Sequence, residues 1–378
     1  KYKRKKSEKP GEKFSVRPLA ISKIAFVFLC HTKKDKRQNT EGKIMLDLRY
    51  LTDSYDEKIR RIKEIAAPLN FLFFTDAHNR LSQFAAGTSG TPYELPVNAV
   101  LSMQYILERC PEISFLVCGG DNGNDYNPDP DKMREAFHEI MDALYSLPIP
   151  VHCCIGNHDD GIGNAIDNGW DTVKAAILPD EMHALCMKYN PTEKNYYYID
   201  MQVEGYANGW RMVFLNTSDK PYYLDNGRYT HGWCTEVSHE QSEWFEREAL
   251  NTDRNIIVFS HAPLTNKGVF GSEGMPWGIK PYDDLRGGPR LFHAAKSCRN
   301  VKLSVAGHVH YDNVLYYDGL CSVTSLSAFG HRWAESVPDR VPGTYTETAF
   351  DVFSIKENVL YITRFGAGED RRATLLRL

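Results

Sequence analysis

Five short apolar runs along the chain each end in a cluster of His, Asp or Asn residues. Each run is four to six residues long and largely apolar, which is typical of a strand buried on both faces of a sheet. Polar side chains at the ends of such strands converge on one edge of the sheet, where open α/β proteins bind ligands. The runs are Phe71–Thr75, Phe115–Cys118, Val151–Ile155, Ile256–Phe259 and Val301–Ala306.

Apolar residues at helical spacing separate the first three runs. This spacing predicts helices over residues 53–67, 97–109 and 131–147. Strands that alternate with helices of this length indicate a layered α/β domain. The middle of the chain is less regular, and its pattern predicts a short helix over residues 180–189 and a hairpin over residues 196–216.

The second half of the chain contains three further signals. Ser238 and Gln241 have the spacing of a capping box, which predicts the start of an amphipathic helix that reaches Leu250. Residues 265–290 are rich in Gly and Pro and lack periodicity. We expect a lid or substrate wall there, because so long a loop in a compact domain is more often functional than idle. Residues 349–363 predict a C-terminal hairpin.

Charge is distributed unevenly along the chain. Residues 1–43 contain 14 Lys or Arg against 4 Asp or Glu, a balance of +10, whereas residues 44–378 carry −14 within a whole-chain net charge of −4. We expect the basic segment to be a poorly ordered tail and residues 44–378 to form the folded domain. The acidic balance of that domain argues against extended nucleic acid as a partner.

The overall composition is that of a globular protein, with 378 residues, 42% of them hydrophobic and 25% charged. No apolar stretch approaches the roughly 18 to 20 residues that cross a bilayer, so we expect no membrane span. The nine cysteines lack the spacing of a disulfide framework or a zinc ribbon. We therefore expect a reducing, cytoplasmic location, although the basic start followed by the apolar residues 24–29 faintly imitates a secretory signal.

The polar clusters at the ends of the five runs occur in a defined order along the chain. They are Asp76-x-His78, Gly120-Asp121, Gly156-Asn157-His158-Asp159, a single His261, and Gly307-His308-x-His310. Any one such cluster arises by chance in many proteins, but five in this order and spacing resemble the motifs of calcineurin-like metallophosphoesterases. The resemblance covers roughly residues 68–315. It implies a four-layer α/β sandwich in which two mixed β-sheets are flanked by helices.

The resemblance also implies a role for each polar residue. Two divalent metal ions are expected, and a mixture of imidazole and carboxylate ligands suits Mn, Fe or Zn. The implied ligands are Asp76, His78 and His310 for the first metal, Asn157, His261 and His308 for the second, and Asp121 as the bridge between them. His158 is expected to be a general acid rather than a ligand, and Asp159 to orient that imidazole or a neighbouring ligand.

Candidates for substrate contact are Asn79, Arg80 and His231, although each is equally compatible with a solvated surface position. One departure from the family pattern concerns His158. Some protein phosphatases of the family carry Asp three residues after the bridging Asp, where this chain has Asn124 followed by Asp125. The resemblance therefore does not imply an Asp partner for His158 from that position.

The function we expect is a binuclear-metal-dependent phosphoesterase that hydrolyses a phosphate ester, a diester slightly in preference to a monoester. Phosphoryl transfer depends mainly on positioning and on neutralising charge, and the attacking group expected from the resemblance is a metal-bound hydroxide. The alternatives are a nuclease of the same fold and a non-catalytic metal-binding scaffold module. A scaffold would be expected to have lost a ligand or His158, and none is missing.

Overall fold

The protein is described by a computed structural model. The described residues are 52–79, 96–123, 127–188, 190, 192–265, 278–279, 281–283, 286–328, 338–341 and 344–377. The predicted tail, residues 1–43, lies outside them, as do Arg80, Asn124, Asp125 and most of the predicted lid, residues 266–277.

The first of two six-stranded sheets, sheet 1, combines strands from both ends of the described chain. Its strands are β1 (Leu69–Phe74), β2 (Ile113–Cys118), β3 (Val151–Cys153), β14 (Ala349–Lys356), β15 (Val359–Gly366) and β16 (Arg371–Thr374). Their order is β16-β15-β14-β1-β2-β3. The first three strands are parallel, and the last three add an antiparallel meander beside β1.

The second sheet, sheet 2, is built from the middle of the chain. Its strands are β4 (Tyr197–Val203), β5 (Tyr206–Phe214), β8 (Asn255–Ser260), β11 (Val301–Ala306), β12 (Asn313–Tyr317) and β13 (Leu320–Thr324), in the order β12-β13-β11-β8-β5-β4. The four inner strands are parallel and the two edge strands are antiparallel to their neighbours. Two small ribbons pair β6 (Leu224–Asp225) with β7 (Arg228–Tyr229) and β9 (Pro281–Asp283) with β10 (Arg286–Gly287).

Helices cover the outer face of each sheet. They are α1 (Thr52–Ile65), α2 (Pro96–Arg109), α3 (Pro130–Tyr145), α4 (Ile162–Asp167), α5 (Thr172–Ala175), α6 (Pro179–Cys186), α7 (His239–Trp244), which continues as a π-helical turn over Phe245–Ala249, and α8 (Gly288–Ser297). Apolar residues of α1, α2 and α3 share the main core with sheet 1, whereas α7 and α8 share a second core with sheet 2. The expected four-layer fold with two mixed sheets is confirmed.

The two sheets pack through a group of phenylalanine rings. Phe71 of sheet 1 is fully buried and stacks on Phe115 and Phe353, its neighbours in that sheet, with ring centroids 5.1 Å and 5.0 Å away. Its edge meets Phe259 of sheet 2 at 5.4 Å. Aromatic side chains bury large apolar areas, so this contact fixes the separation of the two sheets close to the ends of β1 and β8.

Two of the predictions for local structure are corrected in the second half of the chain. Ser238 does cap α7, since its Oγ accepts from the N–H of Gln241 at 3.1 Å. The predicted capping box is only half formed, however, because the Gln241 amide pairs with both backbone groups of Asn216 at the end of β5. The predicted loop over 265–290 also ends early, because Pro289 favours the first turn of α8.

None of the helices in the described ranges is long and apolar enough to cross a membrane.

A buried network of charges joins the two sheets beside the polar ends of their strands. The Asp351 carboxylate on β14 accepts from Arg364 Nε on β15 at 2.8 Å and from Arg371 Nη2 on β16 at 2.6 Å. Arg364 Nη2 also donates to Asp312 Oδ1 at 2.6 Å, in the loop after β11, and Ser325 Oγ after β13 donates to Asp351 at 2.7 Å. Asp351 and Arg364 are fully buried.

We predict that Asp351→Asn destabilises the protein. The substitution leaves Arg364 and Arg371 without their shared carboxylate, and breaking a buried ion pair on one side costs about 3 kcal/mol or more. Urea unfolding followed by circular dichroism should therefore show a lower midpoint for the variant at pH 7. The matched control is Glu57→Gln, since Glu57 pairs with Arg60 and Arg61 on the solvent side of α1. Its midpoint should be that of the wild type, and an unchanged midpoint for Asp351→Asn would contradict the network's role.

The same network gives a prediction for pH. Burial would raise the pKa of Asp351, but Arg364 and Arg371 outweigh it and hold the pKa below its usual value. The carboxylate's contribution is fully present above the unfolded-state pKa of about 3.9 and is lost as the pH falls through the lower folded-state pKa. The gap between wild type and Asp351→Asn should hold from neutral pH down to about pH 4 and shrink only below it.

Candidate metal centre

The predicted metal-ligand residues lie at the carboxyl ends of strands from both sheets. Sheet 1 contributes the loops after β1, β2 and β3, and sheet 2 contributes the loops after β8 and β11. Backbone hydrogen bonds join the first two loops: the N–H of Asp76 donates to the carbonyl of Gly120 and the N–H of His78 to that of Asp121, both at 2.9 Å. The β1 and β2 loops therefore continue as a paired ribbon beyond the sheet.

Five of these residues have a left-handed backbone conformation. The φ angle is +54° at Asp76, +41° at His78, +54° at Asp121, +68° at His308 and +59° at His310. Such values are uncommon for residues other than glycine. Each costs on the order of 1 kcal/mol or more and persists only because its surroundings impose it. Strained residues of this kind cluster at functional sites, and here the kink at each strand end turns a polar side chain toward one point.

Two glycines make room for the carboxylates. A Cβ at Gly156 would lie 2.0 Å from Asp121 Oδ1, and a Cβ at Gly307 would lie 2.3 Å from Asp76 Oδ2. Neither glycine has the left-handed backbone conformation. Glycine is needed at these positions because a side chain would collide with the carboxylate, not because of a tight turn. Each carboxylate can thus rest directly against the backbone of a neighbouring loop.

The first group of donor atoms comes from Asp76, His78 and His310. His310 Nε2 lies 3.1 Å from Asp76 Oδ1 and 3.4 Å from His78 Nε2. One donor atom from each residue falls within 4.8 Å of the other two, and all three residues are buried. Two imidazoles and a carboxylate at this spacing are a donor set that suits a divalent transition metal.

The second group centres on His261, whose ring orientation is fixed by its own backbone contact. His261 Nδ1 lies 2.9 Å from the carbonyl of Gly119, so Nδ1 carries the proton and the lone pair of a neutral ring is on Nε2. That nitrogen lies 3.1 Å from each of Asn157 Oδ1, His308 Nδ1 and Asp121 Oδ2. Several acceptor-type atoms that face one another in this way fit a bound cation.

Asp121 belongs to both groups. Its Oδ2 lies 3.1 Å from His261 Nε2 and 3.7 Å from His78 Nε2. Its Oδ1 accepts from the backbone N–H of His158 at 2.8 Å. One carboxylate oxygen therefore faces both imidazole groups, as the bridging role implied by the resemblance requires.

The electrostatics of the site favour a cation. Burial would lower the pKa of His261, but Asp121 and Asp76 outweigh it and raise that pKa to about 9. Burial would raise the pKa of Asp76, but His310 and His261 lower it to about 2. Burial and the charge of His261 lower the pKa of His308 to about 3. At neutral pH Asp76 and Asp121 are thus anionic. Protonation of His261 partly compensates this negative charge, as a bound cation would.

His158 lies at the partly exposed side of the site. A ring nitrogen falls within 4.8 Å of donor atoms of His78 and Asp121. The His158 ring packs edge-on against His78 with centroids 4.7 Å apart and contacts the ring of Trp233 at 4.3 Å. Trp233 is a neighbour that the sequence analysis missed, since it belongs to no motif and lies 75 positions from His158.

Asp159 accepts hydrogen bonds from four backbone N–H groups of the loops and from the side-chain amide of Asn122. Its Oδ1 accepts from the N–H groups of Asn122 and Gly123 at 2.6 Å and 3.2 Å. Its Oδ2 accepts from the N–H groups of Asp121 and Gly156 at 3.1 Å and 2.9 Å. Burial and the charge of Asp121 raise its pKa to about 7 against these donors. Hydrogen bonds to this carboxylate therefore hold the loop after β2 against the loop after β3.

The candidates for substrate contact lie in different surroundings. Asn79 is fully buried, and its amide donates to a backbone carbonyl and a glutamate of α3, an arrangement that suits a structural role. His231 is partly exposed, and its ring contacts the Tyr223 ring, with centroids 4.9 Å apart. It precedes Trp233 by two residues. Arg80 lies outside the described residues.

Several solved structures are similar to this chain at low sequence identity. A dimetal phosphatase from Danio rerio superposes with a TM-score of 0.51 and 14% identity, covering 82% of this chain and 100% of its own. GAP50, the anchor in the inner membrane complex of Plasmodium, has a TM-score of 0.44 and 15% identity over 78% of this chain and 84% of its own. A putative 5′-nucleotidase from Staphylococcus aureus has a TM-score of 0.45 and 12% identity over 82% of this chain and 54% of its own.

Sequence comparison identifies the family. No curated protein sequence matches the chain significantly. The model of the family described as calcineurin-like phosphoesterase matches residues 69–312. That range is more than half of the chain and includes all five polar clusters that build the site. This protein therefore belongs to the calcineurin-like phosphoesterase family.

Proposed function

We propose that this protein hydrolyses a phosphate ester at a centre of two divalent metal ions, with a diester favoured slightly over a monoester. The family assignment makes it a metal-dependent phosphoesterase. The observation that carries the proposal is the position of Asp121, whose Oδ2 faces His78 on one side and His261 on the other. Two adjacent donor groups that share one carboxylate are what a two-metal phosphoesterase requires.

The assignment of ligands follows the two donor groups. Asp76, His78 and His310 would hold one ion, Asn157, His261 and His308 would hold the other, and Asp121 would bridge them. When bound, two such cations supply a hydroxide nucleophile at neutral pH and neutralise the charge of the phosphate. We leave the identity of the metals open among Mn, Fe and Zn, since all three suit imidazole and carboxylate ligands.

His158 is proposed as the general acid that protonates the leaving oxygen. Its backbone N–H is held by Asp121, which keeps the residue beside the donor groups. Its ring is partly exposed, unlike the buried rings of His78, His261 and His310. A proton donor must reach the reacting group, and a partly exposed ring beside the donor groups supports that role.

For Asp159 we propose positioning rather than proton transfer. Its two oxygens accept from four backbone N–H groups, so the carboxylate fixes the loops that carry Asp121 and Asn157. Hydrogen bonds to the loops that carry metal ligands set the orientation of those ligands.

Two observations motivate the slight preference for a diester. Residues 44–378 carry a net charge of −14, which disfavours the extra negative charge of a monoester dianion. The partly exposed Trp233 ring beside His158 offers apolar surface to a second organic group.

The acidic balance of residues 44–378 also disfavours the nuclease alternative. For the cellular location we propose the cytoplasm. The described cysteines form no disulfide with one another, which supports that proposal.

Two variants should separate a metal ligand from the general acid. We expect His261→Gln to lower the metal content from two ions per chain and to abolish turnover, because Nε2 faces three other donor atoms. We expect His158→Gln to retain two ions and to lose about 10²- to 10⁴-fold in kcat for an ester with a poor leaving group such as phenolate. Metal analysis by mass spectrometry, beside the rate, gives the result. A His158→Gln protein that loses an ion would make His158 a ligand instead.

A control with the same change is available at His152. This residue is buried in the core, where Nδ1 bonds Tyr197 Oη at 3.0 Å and the ring stacks on Phe214. His152→Gln should keep both metal content and rate constants per folded molecule, whatever it does to stability.

The preference between ester types can be tested with two chromogenic compounds. We expect turnover of both bis-p-nitrophenyl phosphate and p-nitrophenyl phosphate, with a higher kcat/KM for the diester. Chelation should abolish both activities and added Mn²⁺, Fe²⁺ or Zn²⁺ should restore them. A higher kcat/KM for the monoester would overturn the diester preference while leaving the metal-dependent reaction intact. A protein that holds two ions and turns over neither compound would favour the scaffold alternative.

A further inference from the structure

Trp233 is placed directly on the proposed general acid. The two rings lie 4.3 Å apart between centroids, at an interplanar angle of 53°. On another side the His158 ring meets His78 at 4.7 Å and 87°. The imidazole therefore has ring contacts with two residues, one from the metal centre and one from a segment that carries no metal ligand.

The Trp233 ring is itself held in place by α4. Its Nε1–H donates to Asp167 Oδ2 at 2.8 Å. One part of the ring lies so close to Gly163 that a Cβ there would be 2.5 Å to 2.7 Å from three ring atoms. Glycine at position 163 is thus required for the indole to sit where it does, and the ring has little freedom to move away from His158.

A buried ion pair fixes the segment that carries Trp233. Lys220 Nζ lies 2.5 Å from Asp160 Oδ2, and both side chains are excluded from solvent. The same ammonium donates to the carbonyl of Gly232 at 2.5 Å, immediately before Trp233. Tyr222 Oη also donates to Asp160 at 3.1 Å. Since Asp160 follows His158 by two residues, these bonds tie the backbone before the indole to the backbone after the imidazole.

We propose that Trp233 is a positioning residue that holds the His158 ring in the orientation needed to protonate the leaving oxygen. The proposal rests on the proposed function, in which His158 is the general acid. The indole is anchored by Asp167 and Gly163 and packs directly against this imidazole. This contact restricts rotation of the imidazole, one of whose ring nitrogens lies within 4.8 Å of donor atoms of His78 and Asp121.

The leaving group provides a direct test. A poor leaving group such as phenolate needs protonation in the transition state, whereas p-nitrophenolate departs with little help. We therefore expect Trp233→Leu to lower kcat for a phenyl ester by a larger factor than for the matching p-nitrophenyl ester, by up to about 10²-fold. KM should change less than kcat. Trp233→Phe keeps a ring on His158 but loses the bond to Asp167, and should recover part of the lost rate for the phenyl ester.

Two further variants complete the design. Gly163→Ala keeps Trp233, but its new methyl group should push the indole away from His158. It should therefore give the same leaving-group pattern as Trp233→Leu. Trp244→Leu is the matched control, since Trp244 is also partly buried but contacts Tyr196 and Tyr198, at 4.8 Å and 6.2 Å, rather than the metal centre. Its rates for both esters should equal those of the wild type. Metal content and melting temperature are measured for every variant, so that only folded proteins with two ions are compared.

The outcomes separate the proposals. Equal losses for both esters, or none, in folded and metal-loaded Trp233→Leu would overturn the positioning role. If Trp233→Leu does not fold, the same comparison is decided by Trp233→Phe and Gly163→Ala. Failure of the proposed function has a different signature, since the wild type would then turn over neither ester, or His158→Gln would be as active as the wild type on the phenyl ester.

Discussion

The structure depends most on bringing one carboxylate, Asp121, into contact with imidazoles from both sheets. Its Oδ2 faces His78 and His261, and its Oδ1 holds the backbone of His158. This placement requires a left-handed backbone at Asp121 and the absence of a side chain at Gly156. Neither the left-handed backbone at Asp121 nor the missing side chain at Gly156 stabilises the fold by itself. Both are explained by the carboxylate that they place in the candidate metal centre.

The strain and the buried charge need compensation from the surrounding structure. Five left-handed residues in one site represent a cost of several kcal/mol, at about 1 kcal/mol or more each. The carboxylate of Asp159 offsets part of it, because it accepts four backbone N–H groups from the loops that adopt this conformation. Asp121 and Asp76 raise the pKa of His261, and bound cations would compensate the negative charge of these carboxylates.

The sequence predicted those parts of the site that follow from local order. Apolar runs such as Phe71–Thr75 became strands because burial on both faces leaves a continuous pattern. The residues at their ends meet, but between the strand ends of two sheets rather than at the single sheet edge that this pattern alone predicts. Contacts between residues remote in sequence left no such pattern. Trp233 is held beside His158 by its hydrogen bond to Asp167 and by the space that Gly163 leaves. Gln241 hydrogen-bonds to Asn216 instead of completing the capping box of its own helix. Both contacts depend on tertiary packing alone.

The metal centre is divided between two sheets, so its geometry depends on how those sheets are held relative to each other. The Phe71–Phe259 contact sets their separation in the core, but apolar contacts constrain sliding only weakly. Directional bonds are present where they are needed, since Arg364 of sheet 1 donates to Asp312, two residues after His310 in a loop of sheet 2. An ionic bond of this kind is a weak source of net stability. Its position argues that it serves the register between the two halves of the metal centre.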